Sequence, residues 1–264
     1  MCIRDSIVCV LIPFGLQCAS NSFIRTVQKI PQLIGDFSDS YVDDLAISSD
    51  DLTDRMNNAR SFLTVMRDSG LTLKLEKCKF AMTTVTFVGH CIGSGRHGPG
   101  PSKVACVVSM KTLVSKKEVR QVLGLFSYFR TYIDKFVEIA KPLTTLTRKQ
   151  VPNKIHWTDV HQHGFVLLKK KLREATKYHV INYGQQRGIL VDASTVAVGC
   201  CLVQLTDDGQ EKAIAFASAK LSHTQMAWST IESEAYAVIF TLRKIRNFIF
   251  SAKIWIYCDH NPLK

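Results

Sequence analysis

A chain of 264 residues, 46% hydrophobic and 21% charged, is long enough for one large or two ordinary domains, and its composition is neither disordered nor collagen-like. Lys and Arg number 34 against 22 Asp and Glu, a net charge of +12 and a pI near 9.3, which favours an anionic partner such as nucleic acid or an acidic membrane surface. The excess is concentrated: residues 103–178 hold sixteen Lys and Arg against five acids, so a basic middle separates two near-neutral ends.

In chain order, the first apolar run is Ile7 to Ala19. It is too short to span a bilayer and is broken by Pro13-Phe14-Gly15, and with only Arg4 beside Asp5 ahead of it, it is a poor signal peptide as well. Ser40-Tyr41-Val42-Asp43-Asp44-Leu45-Ala46-Ile47 places two adjacent carboxylates between short apolar flanks, the pattern of a β-hairpin with the acids at its tip. Adjacent carboxylates repel, and a bound cation relieves them; a solvated turn is the alternative reading. Met56, Ala59, Phe62, Leu63 and Met66 recur at helical spacing between Leu52 and Gly70. Val85 to Ile92 reads as a second hairpin, and Gly93 to Pro101 as a loop by composition. Ser115-Lys116-Lys117-Glu118 is a capping box that opens a helix with Val119, Val122, Leu123, Phe126 and Phe129 on one face, decorated by Lys116, Lys117, Arg120 and Arg130. A further helix follows Trp157-Thr158-Asp159, with Phe165, Leu168 and Leu172 as its apolar stripe and Lys169 to Lys171 on the solvated side. Nine cysteines without a Cys-x-x-Cys pair or a finger-spaced Cys/His cluster indicate neither a disulfide framework nor a structural zinc site, and fit a reducing compartment.

The last third changes character. Strands are expected at Gly188 to Asp192, Ala197 to Gln204 and Lys212 to Ala217, the last after the turn Asp207-Asp208-Gly209. A long helix from about Thr230 follows, with Ile231, Val238, Leu242, Ile245 and Ile249 on one side, then a strand from Lys253 to Cys258 ending on Asp259. The order is β-β-β-α-β. Acids in or just after apolar elements are costly unless paired or bound to a cation, which singles out Asp192, Glu234 and Asp259. Glu232, three residues after Ser229, has a structural role as a capping-box acid, whereas Glu234 has none. Two magnesium ions bridged by such carboxylates support in-line attack on a phosphate. On pattern alone, ordinary surface acids remain the alternative.

These residues reach a resemblance. Tyr41-Val42-Asp43-Asp44 resembles the Y-x-D-D box of reverse transcriptases, and Pro13-Phe14-Gly15-Leu16 with Cys18-Ala19-Ser20-x-x-Phe23 is similar to a segment of gypsy-type long-terminal-repeat retrotransposon polyproteins, Ser20 standing where the family has proline. Leu75-Glu76-Lys77-Cys78-x-Phe80, Phe87-Val88-Gly89-His90, Leu123-Gly124-Leu125-x-x-Tyr128-Phe129-Arg130 and Ala140-x-Pro142-Leu143 resemble its late palm, primer grip and thumb, and Trp157 with Phe165 and Leu168 its connection. Asp192-Ala193-Ser194, Glu232-Ser233-Glu234-Ala235 and Asp259-His260-x-Pro262-Leu263 resemble its ribonuclease H boxes.

The resemblance implies a mixed α/β (α+β) chain: a partial palm with primer grip over residues 7–100, a thumb over 101–150, a connection over 151–185 and a ribonuclease H-like domain over 186–264. Residues 1–6 fit no part of the pattern and read as a remnant from outside the protein. The resemblance further implies Mg2+, two ions per active site with Mn2+ as a substitute, held by Asp43 and Asp44 in one site and by Asp192, Glu234 and Asp259 in the other. Tyr41 would lie near the primer end, Gly15 and Gln17 beside nucleotide and template, and Phe87, Gly89 and His90 on the primer. Lys116, Lys117 and Arg120 would track the duplex backbone, with salt-sensitive binding. The implied partners are RNA template, DNA primer, RNA-DNA hybrid and deoxynucleoside triphosphates, with no membrane, in a cytoplasmic virus-like particle with a nuclear phase. Protease and integrase are expected elsewhere on such a polyprotein. The family's earlier palm aspartate and its fourth ribonuclease H carboxylate fall outside these 264 residues, so the chain reads as an internal fragment incomplete in both active sites. A decayed or domesticated copy that only binds nucleic acid is the alternative.

Overall fold

The computed structural model describes residues 17–35, 37–49, 51–175, 178–250 and 252–258; of Gln17, Cys18 and residues 31–33 it describes the backbone alone. The readings that rest on residues 1–16, Gly15 among them, and on Asp259 to Leu263 lie outside the described residues. The chain divides into two units, Met1–Val88 and Gly89–Lys264.

The first unit runs α1 (Gln17–Val27), α2 (Lys29–Ile34), β1 (Ser38–Tyr41), β2 (Asp44–Ile47), α3 (Leu52–Asp68) and β3 (Thr84–Phe87). The predicted hairpin is present: β1 and β2 pair antiparallel, with Tyr41 opposite Asp44. Asp51 caps α3, its carboxylate accepting from the Asp54 N–H at 2.7 Å. Ile30 of α2 and Phe62 and Met66 of α3 form a small core, with Leu45 and Ile47 packed against it. Met56 and Leu63, expected in that stripe, are exposed. At 100° per residue both lie roughly 100–120° around the helix from Phe62, off the narrow face that meets α2.

The second unit contains β4 (His90–Gly93), β5 (Arg96–Pro99), α4 (Pro101–Ser109), α5 (Lys116–Tyr128), α6 (Phe136–Leu146), α7 (Asp159–Glu174), β6 (Tyr178–His179), β7 (Arg187–Ala193), β8 (Ala197–Leu205), β9 (Glu211–Lys220), α8 (Thr230–Lys244), α9 (Arg246–Ile249) and β10 (Ile254–Tyr257). The segment Gly93 to Pro101, expected as a loop, is instead a tight turn, a strand and a helix start. Ser94 and Gly95 have φ of 52° and 68°, the backbone of a two-residue type I′ turn, and β5 returns antiparallel along β4. Pro101 then sits in the first turn of α4, where its missing N–H costs nothing.

Helices α4 to α7 enclose one core, in which Val107, Val119, Phe126, Leu143, Phe165, Leu168 and Leu172 are fully buried. The capping box at Ser115 and Glu118 is formed, and the stripes expected of α5 and α7 are buried except for Leu123, which is half-buried. A second core lies between α8 and a four-stranded sheet of order β10-β7-β8-β9, in which β10 runs parallel to β7 and the other pairs are antiparallel. This is the β-β-β-α-β order read from the sequence. The buried stripe of α8 is Glu234, Ala237 and Thr241, and Ile231, expected on the apolar side, is exposed. Small Ala237 and Thr241 take the line of closest approach to the sheet, while Tyr236, Val238, Phe240 and Leu242 flank it.

Gly188 of β7 faces Trp255 of β10 across the parallel pair, and a Cβ there would lie 2.0 Å from the indole ring. We expect Gly188→Ala to destabilise this unit by about 2 kcal/mol, the scale of overpacking a core, as a shift in the denaturant midpoint.

Candidate catalytic carboxylates and nucleic-acid interface

The hairpin of the first unit turns on two residues, Val42 and Asp43. Val42 has φ of 57°, so the turn is left-handed at its first central residue, a place suited to glycine that a β-branched side chain occupies under strain. The turn leaves Asp43 and Asp44 exposed side by side, with Tyr41, 56% exposed, beside them. Phe87 ends β3 and is half-buried.

In the second unit, Asp192 alternates along β7 with Val191 and Ala193, which pack in the core under α8. Its carboxylate therefore leaves the sheet on the other side, where the Lys135 ammonium meets it at 2.8 Å. The pair is half in solvent, with 54% of the lysine and 56% of the aspartate side chain exposed. The hydrogen bond to Asp192 and its charge hold the lysine above its ordinary pKa. Two residues on, Ser194 closes the β7–β8 turn: its Oγ accepts from the Ala197 N–H at 3.1 Å and donates to the Ala197 carbonyl at 3.0 Å.

The two glutamates of α8 separate as expected. Glu232 accepts from the Ser229 N–H at 2.8 Å, and the Glu232 N–H donates to Ser229 Oγ at 3.3 Å, a complete capping box. Hydrogen bonds donated by the Ser229 N–H and hydroxyl hold the Glu232 carboxyl below the usual range. Glu234 is 3% exposed in the stripe that faces the sheet, on the opposite side from the Asp192 carboxylate, so the structure does not bring these two acids together. Among the described residues no three His, Cys, Asp or Glu side chains come together as a metal-holding group; Asp259, the third acid expected here, lies outside them.

His90 begins β4 after the turn through Gly89, whose φ is 77°. Its ring lies among Tyr128, Phe129 and Tyr132. Its Nδ1 is 2.9 Å from Tyr132 Oη, and His97 Nδ1 is 3.1 Å from the same oxygen. A phenol has one proton to donate, so it can donate to only one of the two Nδ1 atoms and accepts from the other when that nitrogen is protonated. Burial lowers the pKa of both histidines and pushes that of Tyr132 up to about 12. Nothing in the sequence pattern signalled this network, because its members lie up to 42 positions apart.

The basic middle is partly spent on the protein itself. Lys116, expected on the phosphate-tracking face, is corrected to the interior: it is 6% exposed, and its ammonium donates to the Arg148 carbonyl at 2.8 Å and to the Val151 carbonyl. These carbonyls lie just past the end of α6, where the helix supplies no N–H for them. Arg120, though exposed, donates to the Thr147 carbonyl at 3.2 Å. Lys169, read as solvated, donates to the Val108 and Met110 carbonyls at the end of α4 and lies 4.3 Å over the Phe165 ring, and burial lowers its pKa. Lys117 stays exposed, as does Lys170.

Two family models match the chain: reverse transcriptase (RNA-dependent DNA polymerase) over residues 5–92, and an RNase H-like domain found in reverse transcriptase over residues 157–256. The chain joins a reverse transcriptase segment to that family's RNase H-like domain. Both are enzyme families, of polymerases and nucleases. The reverse transcriptase segment and its partner domain are together similar to the retrovirus-related Pol polyproteins of transposons opus and 297 of Drosophila melanogaster. Identity is 32% and 30%, over 96% of this chain in each case and over 26% and 23% of the relatives. The Tf2-3 polyprotein of Schizosaccharomyces pombe is 27% identical over 99% of this chain and 20% of its own length. The chain thus spans about a quarter of the retrotransposon polyproteins it resembles. Its fold is similar to that of the foamy viral protease-reverse transcriptase dRH in complex with ds DNA, with a TM-score of 0.80 and 22% identity over 90% of this chain and 42% of that one. The foamy viral protease-reverse transcriptase in complex with RNA/DNA hybrid gives a TM-score of 0.79 and 22% identity over 93% of this chain and 33% of that one.

Two outcomes are expected. Histidines whose folded pKa lies below the ordinary 6.5 bind fewer protons folded than unfolded, so the stability they confer is present above that pH and is lost as pH falls through their folded values. The melting temperature of the second unit should drop by a few degrees between pH 7 and pH 5, and His90→Gln or His97→Gln should flatten that profile. Lys116→Ala, which strips a buried partner from two carbonyls, should cost about 1–3 kcal/mol in a denaturant titration, whereas Lys117→Ala should leave the midpoint within about 0.5 kcal/mol.

Proposed function

We propose that this segment serves a polyprotein enzyme that copies RNA into DNA and degrades the RNA strand of the resulting hybrid. The observation that carries the reading is the placement of two glutamates on α8: Glu232 makes the cap, whereas Glu234 lies buried in the sheet-facing stripe, where a bound cation would balance its charge. Carboxylates are hard oxygen donors suited to magnesium, and Asp192 already draws a cation, the Lys135 ammonium, to 2.8 Å. In this reading Asp43 and Asp44 hold Mg2+ at the hairpin tip, and Asp192, Glu234 and Asp259 hold two ions in the RNase H-like unit, with Mn2+ as a substitute. This requires the Asp192 carboxylate, paired with Lys135 on the face away from α8, to turn past the end of β7 toward Glu234. When bound, such ions stabilise the attacking and leaving oxygens of an in-line displacement at phosphorus.

The chain's own residues position the nucleic acid. The strained turn at Val42 presents Asp43 and Asp44 to solvent with Tyr41 beside them, where a primer end would lie. Gly15 and Gln17 serve nucleotide and template, Phe87, Gly89 and His90 the primer strand, and Lys117 and Arg120 the phosphates, while Lys116 supports them by closing the end of α6. The foamy viral structures of similar fold hold ds DNA and RNA/DNA hybrid, which supports nucleic acid as the partner. The reading takes RNA template, DNA primer and their hybrid as partners and deoxynucleoside triphosphates as substrates. The setting proposed is a cytoplasmic virus-like particle with a nuclear phase.

In a polyprotein-derived enzyme carrying these residues, Asp192→Asn and Glu234→Gln should each lower cleavage of RNA in a hybrid by about 100-fold or more while primer extension persists. Asp43→Asn should do the reverse. Cleavage by Asp192→Asn at the parental rate would sink the nuclease assignment and leave a copy that only binds nucleic acid.

A further inference from the structure

Lys135 stands at the N-cap of α6 and is ill suited to that place on three counts. Its backbone is left-handed, with φ of 51° and ψ of 34°, a conformation that residues with a Cβ adopt at a cost. Its side chain makes no capping hydrogen bond to the first turn, where Ser, Thr, Asp or Asn would. Its positive charge lies at the positive end of the helix dipole. Nothing in α6 calls for a lysine here, and a strained residue persists only where its surroundings over-determine it.

The surroundings do so from both sides. Arg130 lies 5.6 Å over the Phe136 ring and donates to the Ser218 carbonyl on β9, and the Val137 N–H donates to the buried Ser218 hydroxyl at 3.3 Å. These two anchors bracket Lys135 on the face of the sheet from which the Asp192 carboxylate emerges, and the ammonium closes on that carboxylate at 2.8 Å. Asp134 and Glu138, on the lysine's own segment, act on the same ammonium and are partners it can turn to if Asp192 is taken.

We propose that Lys135 is an internal counter-ion for Asp192, which holds the carboxylate in the metal-free protein and is displaced when a divalent cation takes it. The inference rests on the metal reading of Asp192 given above and adds to it a link between that carboxylate and α6. The link is reciprocal: loading Asp192 releases the N-cap of α6, and whatever lifts the 130–137 segment off β9 bares Asp192 for metal. Lys135 is a positioning residue in this scheme, acting through Asp192.

The test is Mn2+ binding to the full chain, followed by the electron paramagnetic resonance signal of the free ion and by the Mn2+-dependent rise in melting temperature. Lys135→Gln should bind Mn2+ about three- to five-fold more tightly, the range that an exposed ion pair supplies. Asp192→Asn should lose that site, and adding Lys135→Gln to it should change nothing further. Lys135→Arg, which keeps the charge and grips a carboxylate through two N–H groups, should weaken Mn2+ binding about two-fold. A Kd in Lys135→Arg as tight as that of Lys135→Gln overturns the counter-ion role, since the charge is kept. Equal affinity of the parent and Lys135→Gln, with Asp192→Asn still losing the site, overturns the counter-ion and leaves the metal reading standing. Binding unaffected by Asp192→Asn overturns both.

Discussion

A helix leaves its last carbonyls without intrahelical donors, and a chain built from short helices has many such ends to close. In the second unit the donors are long cationic side chains that come from elsewhere in the fold. Lys116 closes the segment beyond α6, Arg120 adds Thr147, and Lys169 closes α4. Arg187, buried in β7, donates to the Phe248 carbonyl of α9 at 2.7 Å. Each contact ties two elements together through a charge-assisted bond, stronger than a neutral one. The helical core and the sheet depend on these ties, because they fix where the helices stop and how the next element departs.

The same contacts change the meaning of the net charge. Sequence shows a basic middle and leaves two readings, solvated helix faces or phosphate binding. The structure divides those cations into inward and outward groups, with Lys116 and Lys169 satisfied by backbone carbonyls and Lys117 and Lys170 left in solvent. Adjacent lysines at 116 and 117 belong to different groups because they point about 100° apart on α5. Charge counts carry no phase, and phase decides which cation meets solvent.

Much of the fold was legible in the residues. Alternation and turn chemistry located β7 to β10 within a few positions, and two capping boxes marked the starts of α5 and α8. What stayed hidden depended on partners distant in sequence. Composition made Gly93 to Pro101 a loop, yet pairing with β4 satisfies its backbone and the Ser94-Gly95 pair is itself a hairpin signal. Of the candidate carboxylates, the hairpin tip and the capping role of Glu232 could be read from spacing alone. The Lys135–Asp192 pair and the shared hydroxyl of Tyr132 could not, since neither has a local period or motif.

The parallel pairing of β10 with β7 bears on the order in which the molecule can be assembled. Ile254 is registered opposite Arg187, so the outer edge of β7 has no neighbour until a strand some sixty-odd residues later has been synthesised and has crossed back through α8. β8 can zip onto β7, and β9 onto β8, as soon as they emerge, being joined by short turns, whereas the β10 edge must wait through the longest loop closure in the sheet. During that interval a strand rich in Ile, Leu and Val presents open backbone donors and acceptors, the kind of edge that captures other chains. The notch at Gly188, shaped to receive the Trp255 ring, gives the late strand a register that an unrelated strand lacks.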